Sequence, residues 1–172
     1  FIMKIVVLKF GGTSVGTIGK IKRVAKIIAS YRKKNYKVIV VSSAMTGVTN
    51  DLVKKSLEIS ENFSESEYDV LLSSGEQVAC SLIAGRLIHL GIKSRTWLAW
   101  QIPIFTSGPY KNSRINFINK NKILKYLKDG GVPIIAGFQG INNHDRVTTI
   151  GRGGSDASAI MLSKFLKAEK CI

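Results

Sequence analysis

Apolar runs that each end in a small turn cluster, with a helix-period pattern behind them, constrain this chain more than any other feature. Ile5, Val6, Val7 and Leu8 are continuously apolar, and the run closes on Gly11-Gly12. A strand exposed on one face would alternate, so an unbroken run points to a strand buried on both faces. Ile18, Ile21, Val24, Ala25 and Ile28 follow at helical spacing, with Lys and Arg between them. The cycle then repeats. A buried strand over 36–41 runs into Ser42-Ser43, and Asn50 with Asp51 offers helix-starting chemistry ahead of Leu52, Val53 and Leu57. A long helical pattern over 68–90 closes at Gly91, a favourable C-cap residue. A strand over 92–97 leads to connections that Pro103, Gly108 and Pro109 mark as irregular. A short helix around Ile123, Leu124 and Leu127 ends at Gly130-Gly131, ahead of a buried strand over 132–138 and a final helix over 157–166. Lys170-Cys171-Ile172 reads as the start of another strand. Strand and helix in alternation predict an α/β domain.

A chain of 172 residues supports one compact core and not two ordinary domains. Apolar residues at 45% and charged residues at 22% place it with globular rather than disordered chains. No run approaches the roughly 18 apolar residues of a membrane span, and the stretch 5–10 is too short for a signal peptide. Phe1 and Ile2 precede the first methionine, Met3, and read as an upstream or vector-derived remnant, so the domain is counted as 3–172. Cys80 and Cys171 have no metal-ligand spacing and make no disulfide framework, as expected of reduced thiols in the cytoplasm. The net charge of +15 raises the question of nucleic acid, because neutralised phosphates drive such binding. The lysines are scattered, however, and form no tight stripe interleaved with aromatics. They are expected to form a solvated surface favourable to polyanionic small substrates, with no specific nucleic-acid partner and no membrane.

Two glycine clusters carry candidate chemistry. Lys9-Phe10-Gly11-Gly12-Thr13-Ser14 stands where a buried strand meets a helix. Adjacent glycines let backbone approach a ligand, and their N–H groups with a helix N-terminus make an anion site over which Lys9 can project. The pattern is neither GxxxxGK[ST] nor GxGxxG, and ordinary turn chemistry remains the alternative. Gly151-Arg152-Gly153-Gly154-Ser155-Asp156 opens the last helix. Ser155 and Asp156 suit a helix cap, but capping leaves three glycines around an arginine unexplained. An arginine on such a loop suits bidentate capture of a carboxylate or phosphate. Two smaller clusters, 42–50 and Ser73-Ser74-Gly75-Glu76, take comparable places. Singly, Glu76 reads as a solvated carboxylate and Thr49 as a loop hydroxyl. Together these loops predict a substrate cleft at the carboxyl ends of the strands.

The stretches KFGGTSVG (9–16), VVSSAMTGVTN (40–50), SSGEQVACSLIAGRL (73–87), GFQGI (137–141) and TTIGRGGSDASAIML (148–162) resemble the aspartate kinases of the amino-acid kinase family. They keep that family's order and spacing over nearly the whole chain. The resemblance implies a three-layer α/β/α sandwich with a mainly parallel sheet, incomplete at its C-terminal end. It implies transfer of the ATP γ-phosphoryl group, with Mg2+, to the β-carboxylate of L-aspartate. By the same resemblance Lys9 is the catalytic lysine, with Gly11, Gly12 and Ser14 at the nucleotide phosphates and Asp156 orienting the lysine. Arg152 clamps the substrate α-carboxylate beside Ser155, Glu76 accepts its ammonium, and Ser43 and Thr49 add hydroxyls. No metal ligand is assigned. Complete members continue past the position of Ile172 with a segment around the adenosine. The expectation is therefore a nearly whole aspartate pocket and half a nucleotide pocket, with self-association or a second polypeptide at the open sheet edge. Another acyl-phosphate kinase of the same fold, or a non-catalytic assembly module, is the alternative.

Overall fold

The computed structural model describes residues 3–151 and 153–172. Phe1 and Ile2, read above as a remnant, and Arg152, the candidate carboxylate clamp, lie outside the described residues. The elements run β1 (Ile5–Phe10), α1 (Ile18–Lys33), β2 (Lys37–Ser42), α2 (Val48–Ile59), α3 (Glu65–His89), β3 (Ser94–Trp97), β4 (Ile104–Ser107), β5 (Arg114–Ile118), α4 (Asn121–Lys128), β6 (Val132–Ala136), β7 (Gln139–Ile141), β8 (Val147–Thr149), α5 (Gly154–Leu166) and β9 (Lys170–Cys171).

Five strands form a wholly parallel sheet in the order β3-β6-β2-β1-β9. Successive side chains of a strand face opposite ways, and this divides the core in two. Val6, Leu8, Val38 and Val40 pack with Ile21, Val24 and Ile28 of α1 and Ala79, Ile83 and Leu87 of α3. Ile5, Val7, Ile39 and Val41 pack instead with Ile123 and Leu127 of α4 and Ala159, Leu162 and Leu166 of α5. Helices thus cover both faces, and the sandwich has three layers. No described helix is long and apolar enough to cross a membrane.

Register sets where the site forms. Phe10 pairs with Ser42 and Ser42 with Ala136, so β1, β2 and β6 all end at one edge and their loops leave from the same place. Beyond that edge lies a second sheet in the order β5-β4-β7-β8. It departs from the irregular connections expected over 103–109. Ile104 and Thr106 of β4 are buried while Phe105 and Ser107 are exposed, an alternation that pairs β4 antiparallel with β5 despite the flanking prolines. The strand expected over 132–138 ends at Ala136, because the chain passes there into β7 and the second sheet. Two helix starts also move. Gly47, not Asn50, caps α2, and Gly153 caps α5, which puts Ser155 and Asp156 inside its first turn.

Helix α3 departs from the usual amphipathic arrangement by burying polar residues beside Leu72, Ala79, Ile83 and Leu87. Asp69, Ser73, Glu76 and Cys80 recur on its buried face, while Val78 and Leu82 face solvent. Asp69 is fully buried and accepts four hydrogen bonds: one to each oxygen from the Lys111 N–H, and one each from the Thr149 N–H and hydroxyl. The Ser73 carbonyl accepts from the Gln139 amide at 3.1 Å. One helix therefore binds β7, β8 and the loop before β5 to the central layer.

Candidate active site

A cleft of about 450 Å³ opens at the carboxyl edge of the central sheet, a size that suits a small ligand. Its walls come from the β1 turn, the β2–α2 loop, the middle of α3, Phe138 and the first turn of α5.

Lys9 stands next to last in β1, where its side chain leaves the sheet toward the cleft. Its Nζ lies 2.7 Å from Asp156 Oδ1, in the first turn of α5. The lysine side chain is 24% exposed and the aspartate 61%, so the pair sits at the mouth with its charges open to a ligand. The glycine turn makes room for this. A Cβ on Gly11 would stand 3.3 Å from Lys9 Nζ, and one on Gly12 would stand 2.9 Å from the Ala44 carbonyl. A substituted residue at Gly12 would push the β1 turn away from the β2–α2 loop. The Thr46 hydroxyl ties those loops together by donating to the Gly12 carbonyl at 2.9 Å.

Glu76 supplies the opposite charge from the cleft's interior. It is 3% exposed, and its Oε1 accepts the Ala44 N–H at 3.1 Å. Its Oε2 is buried with no hydrogen-bond partner among the described residues. Burial raises its pKa to about 7, and the Ala44 bond offsets only part of that rise. An enclosed carboxylate with a free oxygen on a cavity wall is built to receive a cation, since an unmatched buried charge is costly.

Lys9, Gly12, Ser43, Thr49, Glu76, Ser155 and Asp156 line this one cleft. Gly11 stands directly behind the lysine. Ser14 lies on the 3-10 turn Gly12–Ser14, is exposed, and is not among the lining residues. Gly151 and Gly153, which flank Arg152 in sequence, border the cleft. Thr13, Ala44, Met45, Thr46 and Phe138 also line it; they lay within the motif stretches but were given no individual role from sequence. Thr46 carried a signal, as a hydroxyl beside the turn-forming Gly47. Phe138 fell within the matching stretch GFQGI, but an aromatic residue closing a buried strand reads as core and was given no role.

The arrangement combines a cation over a glycine turn, an interior carboxylate with one free oxygen, and hydroxyls between them. A small zwitterion with a second anionic group complements that pattern.

The amino acid kinase family model matches residues 4–172. An aspartokinase of Rickettsia conorii is 48% identical over 172 residues, which cover 98% of this chain and 43% of that protein. Among solved structures, E. coli aspartokinase III in complex with aspartate and ADP superposes with a TM-score of 0.85 at 25% identity, over 97% of this chain and 48% of that one. Aspartate kinase from Synechocystis superposes with a TM-score of 0.82 at 37% identity, over 96% of this chain and 27% of that one. The chain thus spans less than half the length of each of these relatives.

Proposed function

The chain belongs to the amino acid kinase family, and from that premise we propose that its cleft binds L-aspartate and ATP and serves phosphoryl transfer to the β-carboxylate, giving 4-phospho-L-aspartate. The observation that carries this reading is the Lys9–Asp156 pair, two residues far apart in sequence that meet over the β1 glycine turn. The relative solved with aspartate and ADP supports the choice of ligands.

The roles we propose rest on the lining of the cleft, and that of Arg152 on the sequence resemblance alone. The ammonium of aspartate pairs with the free oxygen of Glu76. Arg152 takes its α-carboxylate, while Ser43, Thr49 and Ser155 offer hydroxyls around it. The N–H groups of the β1 turn receive the nucleotide phosphates. A β-carboxylate oxygen attacks the γ-phosphorus in line, the bond to the β-phosphate oxygen breaks, and ADP leaves with its electron pair. The attacking group is already an anion, so no base is needed. Lys9 balances charge on the transferred group, and Asp156 keeps the ammonium aimed at it; positioning and electrostatics carry such a reaction. Magnesium usually takes one or two protein carboxylates together with substrate phosphates. Asp156, largely exposed at the cleft mouth, fits that need, and the ion would neutralise phosphate charge there.

We place the protein in the cytoplasm, where both cysteines stay reduced; Cys80 is buried and neither is bridged. The outer edge of β9 has no neighbouring strand among the described residues, and we propose that it pairs with a second copy or a second polypeptide.

Calorimetric titration tests the site. L-Aspartate should bind and L-glutamate should bind far more weakly. Lys9→Ala should weaken MgATP about tenfold or more, the scale of a lost charge-assisted contact, with little change for aspartate. Equal affinity for both amino acids, or no binding of either, would contradict the reading.

A further inference from the structure

The chain crosses from the central sheet to the second sheet at Gly137 and Phe138. The Gly137 N–H donates to the Ser42 carbonyl at 3.1 Å, and Gln139 already belongs to β7. Between them Phe138 has φ of +68°, a left-handed backbone uncommon for so bulky a residue, and it lines the cleft.

Three contacts hold Phe138 there. Its N–H donates to Ser158 Oγ at 3.1 Å, and its carbonyl accepts the Ile150 N–H at 2.9 Å. Its ring lies against Gly154, where a Cβ would stand 2.6 Å from Cδ2. Ser158 is fully buried, and its hydroxyl proton is committed to the Gly154 carbonyl at 2.8 Å, which leaves the oxygen to accept from Phe138. One hydroxyl thus joins the strained residue to the turn that carries Ser155 and Asp156. Strained backbone persists where its surroundings over-determine it, and it gathers at functional sites.

We infer that Ser158 is a positioning residue for the amino-acid half of the cleft: its hydroxyl holds Phe138 in the left-handed conformation, and Phe138 shapes the wall beside Ser155. This rests on the reading of the cleft as an aspartate site. The β1 turn packs on Ala44 and Thr46 instead, and Asp156 is held from the other side by Lys9, so the nucleotide end depends less on this clamp.

The variants Ser158→Ala, Phe138→Gly and the pair together provide the test, because glycine takes positive φ without a clamp. Ser158→Ala should weaken aspartate about tenfold, the size of one lost hydrogen bond, and leave MgATP within about twofold. In the Phe138→Gly background the same change should cost less than about twofold, a coupling that a merely structural serine would not show. Hydrogen exchange at the Phe138 amide should rise about tenfold or more in Ser158→Ala. Equal weakening of both ligands, additive effects in the double variant, or unchanged exchange would overturn the inference. If the unsubstituted chain binds no aspartate, the reading of the cleft fails, and the exchange measurement still decides whether the clamp exists.

Discussion

A carboxylate enclosed by protein keeps its proton to higher pH than one in water, and Glu76 does so to about pH 7. In the unfolded chain it would ionise near 4.5, so the folded state binds more protons between these values. Its contribution to stability is therefore full below about pH 4.5 and is lost as pH rises through 7, a difference on the order of 3 kcal/mol. Glu76→Gln should remove that slope and unfold at higher denaturant than the parent at pH 8, as chemical denaturation across pH would show. The same variant should weaken aspartate, because an ammonium needs the ionised acid. In the parent, affinity should fall as pH drops from 8 to 5.5, and binding at pH 6.5 should release protons, seen as a dependence of the calorimetric heat on buffer. The glutamine variant should show neither effect. The exposure of Glu76 was misread from sequence for a definite reason. A carboxylate in a helix is ordinarily solvated, and only its turn of α3, pressed against Ala44, encloses it.

The buried polar stripe of α3 belongs to the element scale. Asp69 answers three donors from the second sheet and the loop before β5, in four hydrogen bonds that no hydrophobic side chain would satisfy. Asp69→Ala should leave buried N–H groups unpaired and destabilise the fold by about 3 kcal/mol, measured by urea unfolding. Asp69→Asn should cost less, since one oxygen still accepts. Thr149 lies just before the glycine loop at 151–154, so aspartate binding should weaken in step with the loss of the clamp. β1, β2 and β6 were legible as unbroken apolar runs, and α1 as a clean helical stripe. The second sheet was hidden because its strands have three to five residues, and Pro103 and Pro109 bracket β4. α3 was legible as a helix but not in its orientation, because the face it buries carries Asp69, Ser73 and Glu76 beside its apolar residues.

At the scale of the whole molecule, the parallel register brings together loops separated by more than a hundred residues. The glycine clusters marked the cleft because close backbone approach demands glycine, and the structure joins seven of the singled-out side chains or backbones there. The order in which the loops converge was not readable from residue patterns, since it depends on strand order. The charge of +15 is carried largely on exposed lysines, so moderate salt should change solubility and self-association more than the affinity for zwitterionic aspartate. Light scattering over a salt series would separate these effects, and a β9 edge that pairs should show association that rises with concentration. The most direct test of the cleft is a backbone amide titration by NMR. Saturating L-aspartate should shift Ala44, Thr46, Glu76, Phe138 and Ser155, MgATP should shift Gly11, Gly12 and Thr13, and the far end of the sheet around Asn35 and Gly131 should stay still. Aspartate-induced shifts centred on that far end, with the residues around Glu76 unmoved, would contradict the account.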